Sequence, residues 1–240
     1  MINFNNDKYF YDPYPHALFE KVFDDKFYAS LCKEFPIDQK FQKFDFDKQN
    51  NLKQKKFLIN ESHKSFKEIL KNNKNINDLY NHLSNQKFKE SILNLLEKNY
   101  ICLPKTENLF KKIYKKIRSI KNFGFEFSLM STDGGFIKPH TDGADKLISF
   151  VIPIVENENF LKITNSGTTI LKPTEDKFKY NYLNKTVPFE STEVIRQIPF
   201  NKNQMFLFIK THNSLHSVGP MYNPTGETIM RKSINFFIYK

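Results

Sequence analysis

From Phe123 onward the chain alternates. Phe123, Phe125, Phe127 and Leu129 take turns with Gly124, Glu126, Ser128 and Met130. A period of two is what a half-buried strand requires, because successive side chains on a strand point to opposite faces. Further apolar or alternating runs predict strands at Phe136 to Asp142, Leu147 to Ile154, Gly167 to Lys172, Gln204 to Lys210, His216 to Val218 and Met230 to Tyr239. Turn formers separate them: Asp133-Gly134-Gly135, Asn165-Ser166-Gly167 and Asn223-Pro224-Thr225-Gly226. Many short strands punctuated in this way predict a barrel or jelly roll.

Before residue 123 the period is helical or irregular. Pro13-Tyr14-Pro15-His16 is an extended opening, and Ala17 to Phe23 can form a strand. Asp24 is a helix N-cap candidate, with Phe27, Tyr28, Leu31, Cys32 and Phe35 at helical spacing and Pro36 as the stop. Residues 37–83 are polar and predict loops with one or two weak helices. Ser84 or Asn85 opens a better helix, with Phe88, Ile92, Leu95 and Leu96 on one face. Thr106 can cap another, striped by Leu109, Ile113, Ile117 and Ile120. Pro173 to Phe200 has weak periodicity and predicts a long lid or binding loop.

Composition narrows the class. In 240 residues, 39% are hydrophobic, enough for one core with a helical annex. With 26 Phe and no Trp, phenylalanine carries most of the aromatic packing. Cys32 and Cys102 form no disulfide framework or metal-like spacing, which points to a reducing compartment, the cytoplasm. The Met1 to Phe10 stretch lacks the apolar centre of a signal peptide, and no segment is apolar enough to span a bilayer. The net charge of +11 is spread over many segments. Lys111, Lys112, Lys115, Lys116 and Arg118 fall on one face of the 106–120 helix, which reads as its solvated side ahead of a nucleic-acid grip.

Three segments carry candidate chemistry. In Lys138-Pro139-His140-Thr141-Asp142-Gly143, His140 and Asp142 lie two apart on a strand and would present an imidazole and a carboxylate to one point. Those are two parts of a 2-His-1-carboxylate face, which holds Fe(II) and leaves positions open. By itself the pair also fits a polar strand end. Farther on, Asn213-Ser214-Leu215-His216-Ser217-Val218 offers His216; His212, four residues earlier, reads as a loop residue because the Glu of a zinc helix motif is missing. In Arg231-Lys232-Ser233-Ile234-Asn235, Arg231 and Ser233 share a strand face opposite Ile234, Phe236 and Ile238. An inward guanidinium and hydroxyl need partners, either a core acid or a bound carboxylate. The ordered series of His-x-Asp, a distant His and Arg-x-Ser is harder to reach by accident than any one part.

With these motifs the sequence resembles the 2-oxoglutarate- and Fe(II)-dependent oxygenases, in their prolyl-4-hydroxylase-like branch. The resemblance covers residues 13–36 and 123–240 and leaves 37–122 unmatched. It implies one domain over 1–240, mainly β with flanking helices. Residues 123–240 would form a double-stranded β-helix (jelly-roll) core and 1–122 a strand and helical flank. It implies that His140, Asp142 and His216 bind iron, and that Arg231, with Ser233 beside it, binds 2-oxoglutarate. O2 would be the second cosubstrate and ascorbate a reductant. A C–H bond of a small-molecule or peptidyl substrate would be hydroxylated, with release of succinate and CO2. Pro153 stands where members of that branch often carry a tyrosine that helps hold 2-oxoglutarate, and Met221 to Thr228 reads as an inserted turn. Two other classes stay open: a cupin-like metal-binding isomerase or epimerase, which has no need of Arg231 with Ser233, and a non-enzymatic module that binds through the basic helix.

Overall fold

The computed structural model describes residues 2–4, 7–37, 41–44, 55–101, 103, 122–156, 160 and 162–240. The expected helix at 106–120, with its lysine face, and Cys102 lie outside these residues. Twelve strands are described: β1 (Asp7–Phe10), β2 (His16–Glu20), β3 (Gln42–Phe44), β4 (Lys56–Asn60), β5 (Phe123–Ser131), β6 (Ile137–His140), β7 (Lys146–Ile154), β8 (Thr168–Pro173), β9 (Thr192–Ile198), β10 (Gln204–Ile209), β11 (His216–Val218) and β12 (Met230–Tyr239). Four helices precede β5: α1 (Asp25–Glu34), α2 (Phe66–Asn72), α3 (Lys74–Leu83) and α4 (Gln86–Lys98).

The strands form two antiparallel sheets, one in the order β1-β2-β10-β7-β12-β5-β4-β3 and one in the order β6-β11-β8-β9. Along the chain, β5 to β12 cross between the sheets repeatedly, which is the winding of a double-stranded β-helix. The fold is therefore mainly β with flanking helices, as the alternation from Phe123 onward leads one to expect. The sheet does not stop at the core. Strands from both ends of the N-terminal region join it, β2 on β10 and β4 on β5.

Central to the large sheet is β12, which pairs with β5 along Met230–Ile238 and with β7 along Lys232–Tyr239. Its alternation separates two environments. Ile234, Phe236 and Ile238 are buried in the main apolar cluster beneath the helices, together with Phe125, Phe127, Ile148, Phe150 and Ile152 of the neighbouring strands. The helices contribute Leu31 from α1, Ile69 from α2, Ile76, Leu79 and Leu83 from α3, and Phe88, Ile92 and Leu96 from α4. Phenylalanine dominates this layer: Phe236 packs against Phe150, Phe123 and Phe88 with ring centroids 5.5, 5.8 and 5.9 Å away.

Local signals explain the helix limits. The Asp24 side chain accepts from the backbone N–H groups of Lys26 and Phe27, satisfying two of the donors that a helix start leaves open. Asn85 caps α4 in the same way through Lys87 N. The start of α3 has no cap of its own. Glu34, at the end of α1, supplies one from a distance by accepting from Asn75 N and Ile76 N.

Three expectations are corrected. The strand expected at Ala17 to Phe23 begins at His16 and ends at Glu20, because Lys21 turns to a φ of 53°. The 37–83 region holds helices but also β3 and β4, and the Phe57-Leu58-Ile59 run of β4 is short and follows Lys53, Lys55 and Lys56, which weakens its strand signal. The 173–200 segment is not one loop. Its end is β9, which pairs with β8 and leaves Val194 exposed, so that one-sided burial hides its period.

Replacing Phe236 by Ala removes a ring that is fully buried among three others. Large-to-small changes of this kind cost about 3–5 kcal/mol. Urea unfolding of the variant should show a loss in that range, with an unchanged dependence on denaturant.

Candidate metal centre

Neighbouring strands bring the two candidate histidines together. His140 ends β6, His216 begins β11, and the two are cross-strand partners with ring centroids 4.3 Å apart. Each Nδ1 lies against a backbone carbonyl, His140 against Lys138 O at 2.9 Å and His216 against Ser214 O at 3.0 Å. A carbonyl only accepts, so a proton sits on Nδ1 in both rings, and each Nε2 is the atom left to face a ligand. Burial, together with the neighbouring His140, pulls the pKa of His216 down to about 3, which keeps its ring neutral as a metal ligand must be.

Asp142 reaches the same point by a different route from the one strand alternation suggests. The strand ends at His140, and Asp142 takes a φ of 69° in the left-handed region, which Asp tolerates better than most residues. That turn aims the carboxylate back toward the histidines, with Oδ1 3.5 Å from His140 Nε2. Ser149 Oγ donates to Oδ2 at 2.7 Å, and Lys146 Nζ lies 3.2 Å from Oδ1. Burial alone would raise the Asp142 pKa. The Lys146 charge outweighs burial and holds the carboxyl well below its usual range.

One ligand atom from each of His140, Asp142 and His216 lies within 4.8 Å of the others. Two imidazoles and a carboxylate, each oriented by a second hydrogen bond, could hold a divalent first-row metal with open positions. His212 is not part of this group; its ring stacks on Tyr180 at 5.0 Å and its carbonyl accepts from Asn181 N.

The three residues line a cavity of about 330 Å³ that also contains Arg231, Ser128, Ser149, Glu126, Asn235 and Tyr239. Arg231 is 4% exposed. Its Nε donates to Ser166 O at 2.7 Å, and its guanidinium lies 3.9 Å from the centroid of the Phe200 ring. Among the described residues no carboxylate pairs with it. Burial alone pulls its pKa down to about 9, so it remains a cation at neutral pH. Ser233, two residues on, is fully buried, and its Oγ has no hydrogen-bond partner. Ser233 is not itself a lining residue; its cross-strand partner Ser128 is.

No protein-family model matches the sequence, and no curated protein sequence matches it. Similar solved structures are a prolyl-4-hydroxylase from Pseudomonas putida, 9% identical over 94% of this chain and 92% of that one with a TM-score of 0.45, and the non-heme alpha-ketoglutarate-dependent epimerase SnoN from nogalamycin biosynthesis, 9% identical over 93% of this chain and 76% of that one with a TM-score of 0.46. A prolyl hydroxylase from Trichoplax adhaerens, solved with a hypoxia inducible factor peptide fragment, is 17% identical over 48% of this chain and 42% of that one, with a TM-score of 0.33.

The supporting residues were harder to read in the sequence. Ser149 shows there only as a polar break in the apolar run Leu147 to Val155, and that break was the available signal. Thr141 is held on every side: its N–H by Asn184 Oδ1, its hydroxyl between Asn181 O and Lys210 Nζ, and its carbonyl by Ser214 Oγ. Lys210 is itself buried, and burial lowers its pKa to about 8. Loss of a partner to a ligating carboxylate typically costs about 10- to 100-fold in metal affinity. Ser149→Ala should therefore weaken Fe(II) binding by about that factor in an anaerobic chelator competition, while the circular dichroism spectrum stays that of the parent protein.

Proposed function

We propose that the chain is an Fe(II)- and 2-oxoglutarate-dependent oxygenase of the prolyl-4-hydroxylase-like kind. It would hydroxylate a C–H bond of a small-molecule or peptidyl substrate and release succinate and CO2. The observation that carries this reading is Arg231: a buried cation, facing the same cavity as His140, Asp142 and His216, with no carboxylate from the described chain to meet it. A buried charge without its counterpart is costly. A ligand carboxylate gripped by the planar fork of the guanidinium offsets that cost. Ser233, expected beside Arg231 as a second contact to the same ligand, lies behind the wall, where its cross-strand partner Ser128 lines the cavity.

In this reading His140 and His216 bind iron through Nε2, and Asp142 through Oδ1. Iron with bound 2-oxoglutarate supplies the oxidising chemistry. Arg231 fixes the far carboxylate of the cosubstrate, and Phe200 holds the guanidinium plane against the strand. Ser149 keeps the Asp142 carboxylate turned toward the metal. Ile137, Val151, Phe208 and Val218 supply apolar wall and limit water around the reacting atoms. Residues 123–240 form the catalytic core and residues 1–122 its flank, in one domain. A cupin-like isomerase would use the same three ligands and leave Arg231 without a task.

Succinate release with Fe(II), ascorbate and 2-oxoglutarate tests the proposal. His140→Ala, Asp142→Ala and His216→Ala should each abolish release, and full release by any of them would remove that residue from the centre. Arg231→Ala should raise the 2-oxoglutarate requirement about 10- to 100-fold, the worth of a lost charged hydrogen bond. Tight Fe(II) binding with no visible absorption band on adding 2-oxoglutarate, and no release, would favour the isomerase reading instead.

A further inference from the structure

The cavity wall carries polar groups that neither the metal nor the cosubstrate anchor uses. Beyond Ser233, the inward row of β12 continues through Asn235 and Phe237 to Tyr239, and all three line the cavity. Glu126 of β5 lies directly across from Asn235. Its Oε1 accepts from Asn235 Nδ2 at 2.7 Å and from Lys56 Nζ at 3.3 Å. Those two bonds settle the orientation of both side chains. A carboxylate only accepts, so Asn235 must turn its NH2 to Glu126, and its Oδ1 is left over. Among the described residues, Glu126 Oε2, Asn235 Oδ1 and the Tyr239 hydroxyl make no hydrogen bond.

Tyr239 owes its place to Gly124. A Cβ at that position would lie 2.6 Å from the Tyr239 hydroxyl and 3.2 Å from the Phe237 ring, so only glycine leaves room for both aromatics against β5. The wall is therefore built: a carboxylate oxygen, an amide oxygen and a phenol set beside an aromatic face.

We propose that Glu126, Asn235 and Tyr239 form the substrate subsite, and that the substrate presents uncharged hydroxyl groups to it, as a sugar-like or other polyhydroxylated molecule does. This rests on the oxygenase reading above. Two leftover acceptors ask for donors. The charges then decide which kind. Lys56 already neutralises Glu126 and Lys146 stands against Asp142, while Arg231 is given to the cosubstrate, so no uncompensated negative charge is left to draw in an ammonium or guanidinium. An anion would bring only further acceptors to a wall that already presents acceptors. Neutral hydroxyls donate to Oε2 and Oδ1 and can also bond the Tyr239 phenol, while the C–H edges of the same molecule rest on Phe237.

Saturation-transfer NMR on the metal-free protein tests this without depending on turnover. The probes are myo-inositol and N-acetylglucosamine, compared with N-acetylprolinamide, spermidine and laurate. The hydroxylated probes should give signal. Glu126→Gln, which turns the free acceptor into a donor, and Tyr239→Phe, which removes one hydroxyl, should each reduce it about fivefold or more, the worth of one hydrogen bond. The far-ultraviolet dichroism of each variant reports that it is folded, and the mild Tyr239→Phe change stands if Glu126→Gln does not fold. Signal from N-acetylprolinamide, spermidine or laurate in place of the hydroxylated probes, no signal from any probe, or inositol signal indifferent to both variants would overturn the proposal. Failure of the oxygenase reading is seen separately, as loss of the Fe(II)–2-oxoglutarate absorption band in the wild-type protein.

Discussion

The two-sided pattern of β12 is the constraint on which the rest depends. One row of its side chains, Ile234, Phe236 and Ile238, is driven into the phenylalanine layer under the helices. The other row, Arg231, Asn235, Phe237 and Tyr239, is thereby forced into the cavity. A slip of one residue would exchange the rows and bury a guanidinium among phenylalanines while exposing three apolar side chains to the cavity. Pairing on both sides, with β5 and β7, makes that slip costly. The burial that stabilises the sheet therefore also fixes where the polar groups stand, and rigidity at the site comes from packing a layer away from it.

Precision at the candidate ligands has a second source. His140 and His216 are positioned by pairing of β6 with β11, yet Asp142 sits past the end of its strand in a left-handed turn. Such a residue holds its place only if the surroundings determine it. They do so through Thr141, whose backbone and hydroxyl are bonded to four different residues, and through Val187 N donating to Pro139 O. The 179–188 segment is thus part of the support for the carboxylate, and its Asn184 both bonds Thr141 N and lines the cavity. A change in that segment acts on the ligand and on the cavity wall together.

How much of this the sequence discloses depends on how one-sided each element is. β11 and β12 match their expected limits because their alternation and flanking turns are sharp. His140, Asp142, His216 and Arg231 stand out in the sequence only as an ordered series, and the fold brings the first three to one point on a cavity that Arg231 also lines. Strand parity alone does not place Asp142, because β6 ends at His140. β4 and β9 carry weak strand signals because the first is short and preceded by lysines and the second is mostly solvent-exposed. Lys210 was invisible for a different reason. A lysine at the end of an apolar strand reads as a polar stop, and only tertiary structure shows it turned inward to Thr141.

Charge balance ties these parts into one argument. Lys146 stands against Asp142 and over the Phe237 ring at 3.5 Å, so it belongs at once to the ligand set and to the aromatic wall. Lys56 with Glu126 is neutral as a pair and Lys146 stands against Asp142, which leaves Arg231 as the charge that no carboxylate among the described residues answers. A cavity with that arithmetic favours a ligand that brings negative charge to the Arg231 end. It gives no such incentive at the Glu126 end, where what is missing is hydrogen-bond donors. The two ends of one strand face thus ask for different chemistries, and the separation follows from the spacing of Arg231, Asn235 and Tyr239 along a single period-two row.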